Sequence, residues 1–197
     1  MRHLIACCAL LLTATAALAG FDQTIQRGQV RRLVIDVPAG EVTVRNGAAD
    51  RITISGYARR NEEMVQDAKL VLRVAGDQAT VARIGGSHFT NYSVRIEVPP
   101  GTAIAVNTRY GEVRLGGTFG DIDVSLRAGE VHLETPRASV RELNASALVG
   151  EVHTNLGDRT IDREGVFPGR THWENAAGKS RVTVHTTAGE VHVTLVR

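Results

Sequence analysis

The chain has 197 residues, enough for one domain or for a short array of repeats. Its 23 basic and 21 acidic side chains leave a net charge of +2, which is too small to attract nucleic acid or anionic lipid strongly. Aromatic residues make up 4% of the chain, so platforms on which bases or sugars could stack are few.

Residues 1–19 have the pattern of a secretory signal peptide. "MRH" gives a positive start, "LIACCALLL" an apolar run, and "ALA", ending at residue 19, a small-x-small cleavage site. We therefore expect an exported chain that begins at Gly20 and lies in the periplasm, outside the cell or on the cell surface. The apolar run is too short to span a bilayer, and no later stretch is longer, so no membrane span is expected.

Both cysteines, Cys7 and Cys8, lie inside this segment. The mature chain is therefore predicted to have neither a disulfide nor a thiolate metal site. "LIAC", from Leu4 to Cys7, resembles a signal for lipid attachment, but it begins three residues after the start and has no apolar segment before it. We expect no lipid on Cys7.

The next region, residues 20–100, predicts several strands in a less regular arrangement. "RITISG" and "SVRIEVPPG" alternate in the manner of strands, and "LVLRV" and "ATVARI" flank a predicted turn at "AGDQ". "NEEMVQDAK" could form one short helix with Asn61 as its N-cap. We expect this region to cap the open end of a repeat stack, because an exposed terminal strand invites aggregation.

The tripeptide Gly-Glu-Val occurs five times, beginning at Gly40, Gly111, Gly129, Gly150 and Gly189. Aligned on these glycines without gaps, the residues seven and five before and two and four after the glycine are large and aliphatic, except Ala145 and Thr154. Apolar positions two apart predict strands with one buried face. Each unit is therefore predicted to be a strand, a corner at the glycine, and a second strand.

The spacing of the glycines is 18, 21 and 39 residues from Gly111 onward, close to one, one and two turns of about 20 residues. This near-constant period favours a parallel, right-handed β-solenoid over residues 101–197, in which like residues form inward-facing ladders. Residues 157–179 break the period and are expected to form either a loop or one loose coil, with the single Trp173. A monomer that needs no cofactor to fold is expected.

"VPAGEVTVRNGAADRITISG", "VPPGTAIAVNTRYGEVRLGGTFGDIDVSLRAGEVHL" and "VTVHTTAGEVHV" resemble the bacterial putative-adhesin family of β-strand-repeat domains, a solenoid-like family of unknown function. The resemblance covers most of residues 30–197. It implies an exported or envelope-associated protein without known catalysis. We expect a protein that binds or scaffolds in the cell envelope, with an unknown envelope protein or a surface glycan as its partner. The resemblance implies no catalytic residue.

The glutamates and histidines after the corner glycines are the candidate site. Residues two apart in a strand share a face, so Glu130 with His132, Glu151 with His153, and Glu190 with His192 are predicted to point outward. Adjacent coils would place the first two pairs in a compact square. His192 would join them only if residues 157–179 are a loop. A ladder of glutamates requires compensation, from Arg114, from protonated histidine or from a bound cation.

Three functions of this face remain open. The preferred interpretation is a solvated outer face in which glutamate and histidine fill outward positions. A zinc-type metal site is the alternative, with candidate ligands Glu130, His132, Glu151, His153 and His192. A partner-binding face that needs protonated histidine is the third interpretation. A carbohydrate-active β-helix enzyme is less favoured, because the glutamates lie on a flat face without a cleft that could raise a pKa.

Overall fold

The computed structural model describes residues 20–87, 90–156 and 169–197. The predicted signal peptide and Cys7 lie outside the described residues, and so do residues 157–168 of the segment predicted to be a loop or a coil. No described segment is a helix long and apolar enough to cross a membrane.

Thirteen strands and one short 3-10 turn, Arg137–Ser139, make up the regular structure of the described chain, in which there is no α-helix. The all-β prediction is confirmed. The strands are β1 (Gly20–Gln26), β2 (Arg32–Asn46), β3 (Arg51–Arg60), β4 (Glu63–Met64), β5 (Ala68–Ala75), β6 (Gln78–Gly85), β7 (Asn91–Val98), β8 (Ala103–Gly116), β9 (Ile122–Pro136), β10 (Val140–Val149), β11 (Val152–Thr154), β12 (Gly169–Glu174) and β13 (Ser180–Val196).

All thirteen strands belong to one mixed sheet. Its main path runs β1-β3-β7-β2-β8-β9-β13-β10-β12 and does not close, while β4, β5, β6 and β11 pair beside it. Parallel pairs join β2 to β6, β7 and β8, and continue through β9 and β13 to β10 and β11. Antiparallel pairs join β1 and β7 to β3, β5 to β6 and β10 to β12. The parallel pairing predicted for the repeats is therefore confined to the middle of the sheet.

The repeats pair in register, so that like residues face like residues. Val113 lies opposite Val131, Val131 opposite Val191, and Val191 opposite Val152. A second ladder joins Ile104 to Ile122 and Val106 to Val124. These side chains are buried in one continuous core. The prediction that they point inward and stack in parallel is confirmed.

The corner glycine explains how a strand can point apolar side chains into the core both before and after the corner. Before Gly129, the inward residues stand at odd separations from it, as Ile122 and Val124 do. After Gly129, they stand at even separations, as Val131 and Leu133 do. A straight strand would send these two sets to opposite faces. Gly129 has a φ of 135°, a conformation open mainly to glycine, and it shifts the alternation by one residue at the corner.

The spatial order of the repeats differs from their order in the chain. β13 lies between β9 and β10, although it follows both in the sequence. After β10 the chain reaches β12, which pairs antiparallel with the outer side of β10, and then returns into β13. The repeats at Gly129 and Gly150 are therefore not neighbours. A square made of Glu130, His132, Glu151 and His153, which needed adjacent coils, does not form.

The predicted helix beginning at Asn61 is wrong. β4 folds back against β3, with Arg60 opposite Glu63. Asn61 and Glu62 connect them with φ values of 50° and 67°, both in the left-handed region. Positive φ at both central residues is the geometry of a two-residue hairpin turn, and asparagine accepts it more readily than most residues. Local pairing with β3 therefore outweighs the modest helix propensity of this segment.

The described part of the segment predicted to be a loop or a coil contains β12. Trp173 lies opposite Leu143 of β10 and packs against the edge of the core. The Arg137 guanidinium lies 5.2 Å from the centre of its ring, within the range of a cation–π contact. The single tryptophan thus holds the outermost strand of the sheet in place.

Candidate functional site on the outer face of the repeats

The corner glycines lie directly against one another in the order Gly40, Gly111, Gly129, Gly189, Gly150. A Cβ on Gly129 would overlap the carbonyl oxygen of Gly111, and a Cβ on Gly189 would overlap that of Gly129. Glycine is therefore required at the corner both for its positive φ and for the close approach of the neighbouring backbone. This contact fixes the position of the residues that follow each glycine.

The residue after each corner glycine is a glutamate, and these glutamates form a column on the outer face. Glu41 lies opposite Glu112, Glu112 opposite Glu130, and Glu130 opposite Glu190. Glu151 precedes Val152, the partner of Val191, and so falls beside Glu190. Neighbouring strands are about 4.8 Å apart, and like charges directly opposite each other are destabilising. The glutamate column therefore requires positive charge beside it.

Arg114 supplies that charge at one end of the glutamate column. Its two terminal nitrogens lie 2.6 Å from a carboxylate oxygen of Glu41 and 2.6 Å from one of Glu112. A guanidinium that spans two strands neutralises most of the repulsion between them. Compensation by Arg114, one of the three possibilities raised by the sequence, is confirmed at this end.

Histidines take the equivalent position on the other three strands. The Nε2 atoms of His132, His192 and His153 lie 3.2, 3.1 and 3.0 Å from the carboxylates of Glu130, Glu190 and Glu151, respectively. Each histidine thus contacts the glutamate two residues before it, on the same face, as the strand alternation predicts.

The three imidazoles form a histidine stack, with His192 in its middle. The ring centres of His132 and His192 are 4.8 Å apart with planes 5° from parallel, and those of His153 and His192 are 4.7 Å apart at 12°. In-register parallel pairing places the rings in this way, because it gives each histidine the same position on its strand. His192 therefore adjoins both other histidines, whereas His132 and His153 lie two strand spacings apart.

Two groups on this face bring nitrogen and oxygen ligand atoms together. His153, Glu190 and His192 each offer one atom, and these atoms lie within 4.8 Å of one another. Glu112, Glu130 and His132 satisfy the same limit. Four of the five candidates from the sequence are thus divided between two clusters, which Glu112 and Glu190 complete, and Glu151 belongs to neither.

The opposite side of the corner carries a groove of about 550 Å³, which the sequence interpretation missed. Arg83, Arg109 and Arg127 line it, with Asp36 as the only carboxylate among the described lining residues. Three arginines and one aspartate give this arginine groove a charge of +2. Among the described residues, none of the three guanidinium groups forms an ion pair. One signal was available, since Arg109 and Arg127 each stand two residues before a corner glycine.

A polar network lies on the outer face of β10, β12 and β13. His172 contacts Asn144 at 2.8 Å and Glu174 at 3.2 Å, while Asn144 donates to Glu142. The hydrogen bond from Asn144, together with the hydrogen bond from Arg181, holds the pKa of Glu142 below its ordinary value. At a pH above the pKa that Glu142 has in the unfolded chain, its carboxylate therefore stabilises the folded state. This stabilisation is lost as the pH falls through the lower pKa of the folded state.

No family model and no curated protein matches the sequence. The fold resembles the crystal structure of a putative cell adhesion protein from Clostridium sporogenes, with a TM-score of 0.51, 9% identity, and coverage of 90% of this chain and 99% of the other. Two putative adhesins, from Parabacteroides distasonis and Parabacteroides merdae, have TM-scores of 0.27 and 0.29, 8% identity, and likewise cover 90% of this chain and 97% and 96% of their own. At this identity, the first likeness shows a shared fold.

Proposed function

We propose that this protein is an exported, non-catalytic, adhesin-like binding module of the bacterial cell envelope. The signal pattern of residues 1–19 supports export. The resemblance of the repeats to the putative-adhesin family and the fold shared with a protein named for cell adhesion support the binding role.

The arginine groove carries the proposal, and an acidic surface glycan is the partner that suits it. Arg109 and Arg127 occupy equivalent positions on the adjacent strands β8 and β9, and neither forms an ion pair with another described residue. Guanidinium groups bind carboxylates and phosphates through two parallel hydrogen bonds, and both groups occur on acidic polysaccharides. Asn107, Ser125 and Thr187 add side chains that can bond sugar hydroxyls.

The composition of the groove favours binding over hydrolysis. Cleavage of a glycosidic bond generally requires two carboxylates on either side of it. Asp36 is the one carboxylate among the described residues that line the groove, and the glutamate column lies on the other side of the corner. The carbohydrate-active enzyme considered from the sequence is therefore not proposed.

A finer architecture belongs to the same proposal. The in-register ladders of valine, glycine and glutamate between β8 and β9, whose corner glycines are 18 residues apart, support solenoid-like coils at the start of residues 101–197. The later rungs are not successive coils, because β13 lies between β9 and β10. Residues 20–100 would then cap one end, although β2 already carries the first repeat. A binding surface of this kind grows along the stack, so neighbouring rungs present equivalent side chains to successive units of a polymer.

Export is tested by mass spectrometry of the protein recovered outside the cytoplasm of an expressing bacterium. The expected first residue is Gly20, without added lipid. A diacylglycerol-modified Cys7 would instead make the protein membrane-anchored, and an uncleaved chain in the cytoplasm would contradict export.

Binding is tested with a panel of acidic polysaccharides and their neutral counterparts at low and physiological salt. We expect an acidic polysaccharide to bind and the affinity to fall with salt, because the arginines act through charge. The double variant Arg109→Gln/Arg127→Gln should weaken that binding at least about tenfold, the equivalent of about 1.4 kcal/mol.

Arg141→Gln is the matched control, because Arg141 is exposed on β10 and does not line the groove. Combined with Arg73→Gln, another exposed arginine that does not line the groove, it removes the same two charges as the groove variant and should leave the affinity close to that of the wild type. Equal losses in the control and in the groove variant would mean that net charge alone attracts the glycan. Equal binding of neutral and acidic glycans would contradict the role of the arginines.

A further inference from the structure

The glutamate column is compensated at one end and not at the other. Arg114 contacts Glu41 and Glu112, and it is the only arginine or lysine, among the described residues, that forms an ion pair with any member of the column. Within the described part of the chain, imidazoles are the only ion-pair partners of Glu130, Glu190 and Glu151. A neutral imidazole cannot offset the charge of its carboxylate, so three neighbouring strands carry negative charge that the described residues do not balance.

We propose that His192, His153 and Glu190 bind a divalent transition-metal cation of the zinc type. One ligand atom from each residue lies within 4.8 Å of the other two. Nitrogen and carboxylate oxygen are the ligands that zinc accepts in the absence of cysteine, and two histidines with one glutamate form a known zinc set. Glu151 contacts His153 at 3.0 Å but lies outside the group of mutually close ligand atoms, so a water molecule would complete four-coordinate zinc.

The atoms are close to, but not at, their coordinating positions. Two ligands of a tetrahedral zinc ion at about 2.0–2.1 Å lie roughly 3.3 Å apart. The side chains of His192, His153 and Glu190 are 35%, 41% and 50% exposed, so rotation about their own bonds can close the remaining distance. The strands need not move, because parallel pairing already holds the two histidines on neighbouring rungs.

Coordination would replace contacts that the side chains make now. Glu190 lies 3.1 Å from the Nε2 of His192, which becomes a metal ligand when it carries no proton. The proton then resides on Nδ1, and the lone pair of Nε2 is free for the cation. His153 can likewise leave its contact with Glu151 when its Nε2 carries no proton, so that both histidines bind one cation.

The second cluster, Glu112, Glu130 and His132, is a weaker candidate because it already contains a cation. The Glu112 oxygen that lies 3.3 Å from His132 also lies 2.6 Å from Arg114. A metal ion at that oxygen would have to displace the guanidinium or lie beside its charge. The structure therefore distinguishes two sites that the repeat pattern alone makes equivalent, and it favours the one without arginine.

Zinc binding to purified protein, produced without a histidine tag and first treated with chelator, tests the site. Isothermal titration should show one zinc ion per chain, and the melting temperature should rise with zinc and return when chelator is added. The imidazole signals of His192 and His153 in NMR spectra should shift with zinc, while that of His172 should not.

Three variants separate the site from nonspecific binding. His192→Ala removes the shared ligand and should weaken zinc binding at least about tenfold, and Glu190→Gln should weaken it in the same direction. His172→Ala is the matched control, since His172 has the same contact with the glutamate two residues away, at 3.2 Å, but no stacked histidine. It should bind zinc as the wild type does.

The outcomes that overturn the proposal are equally definite. Zinc binding that survives His192→Ala, or that His172→Ala reduces equally, would be adventitious. Calcium or magnesium that binds as well as zinc would show that the carboxylates merely collect counterions, because imidazole has little affinity for those ions. No saturable zinc binding up to about 0.1 mM would leave the face solvated, without a metal site.

Discussion

The inner and outer faces of the repeats are built from adjacent residues of the same strands, yet different forces act on them. On β9, Val131 is 0% exposed, while the side chain of Glu130, its neighbour in the chain, is 55% exposed. Val131 is surrounded by identical valines on both sides, and Glu130 faces glutamates. In-register repetition favours the first arrangement and disfavours the second, because apolar side chains gain from close packing and like charges repel.

Repeating the same residue on neighbouring strands therefore stabilises the core on the inner face. On the outer face it places like charges together, and these need a compensating charge. The repeats keep glycine and valine at equivalent positions. The residue two positions after the glutamate differs between them: it is threonine in β2, arginine in β8, and histidine in β9 and β13. We expect substitutions on the inner face and at the corner to cost the most, and those on the outer face to cost little.

Val131→Asp should have the largest effect. It places an unpaired carboxylate between Val113 and Val191, in a core without polar partners. Burying such a charge costs several kcal/mol, which is comparable to the stability of a whole domain. Circular dichroism and urea denaturation should show an unfolded or insoluble protein.

Ser125→Asp is the control for that experiment, because Ser125 lies six residues earlier on β9 and is exposed. It should fold and denature nearly as the wild type does. A folded Val131→Asp protein would mean that the inner face tolerates charge and that the contrast between the two faces is mistaken.

Gly129→Val should have the next largest effect, at least about 2 kcal/mol. The new side chain has to adopt the positive φ of Gly129, and its Cβ would overlap the carbonyl oxygen of Gly111. Gly76→Val separates the two causes, since Gly76 has a φ of 61° but no atom near its missing Cβ. Urea denaturation should show a larger loss at Gly129. Equal losses of stability in the two variants would mean that the positive φ alone causes the cost, and that the contact between Gly129 and Gly111 contributes nothing.

Arg114→Gln should lower the free energy of unfolding by about 0.5–1 kcal/mol in low salt, because it leaves Glu41 and Glu112 without their shared counterion. The loss should shrink in high salt, which screens exposed charges. Arg73→Gln removes an exposed arginine without an ion pair, on β5, and should have no comparable effect. A loss at Arg114 that does not respond to salt would point to packing of its alkyl chain instead of charge.

His132→Ala combined with His153→Ala should have the smallest effect, no more than about 0.5 kcal/mol in the presence of chelator. Their side chains are 40% and 41% exposed, each contacts the glutamate two residues before it, and His132 also lies 3.3 Å from Glu112. Thermal melts check this expectation. A large loss of stability in the absence of metal would mean that the stacked imidazole rings themselves stabilise the fold, as the buried residues of the inner face do.

The sequence sufficed to predict which side chains of the repeat strands face the core and which face outward. The alternation around Gly129 predicted that Val131 is buried and that Glu130 and His132 share the outer face. It could not predict that β13 separates β9 from β10, because five nearly identical repeats can pair in more than one order. The hairpin at Asn61 was missed for a similar reason, since β3 supplies the pairing that decides against a helix.

The position of β13 has a consequence for the order in which the molecule can be assembled. β9 and β10 are synthesised first, but the strand that joins them follows later, so both present unpaired backbone groups until β13 arrives between them. Such contacts close over long stretches of chain, which makes folding slow and exposes sheet edges to other chains in the meantime. If the chain is exported from its N-terminus, β9 and β10 would keep these edges unpaired until β13 emerges. The pairing of β13 with both strands then completes the sheet.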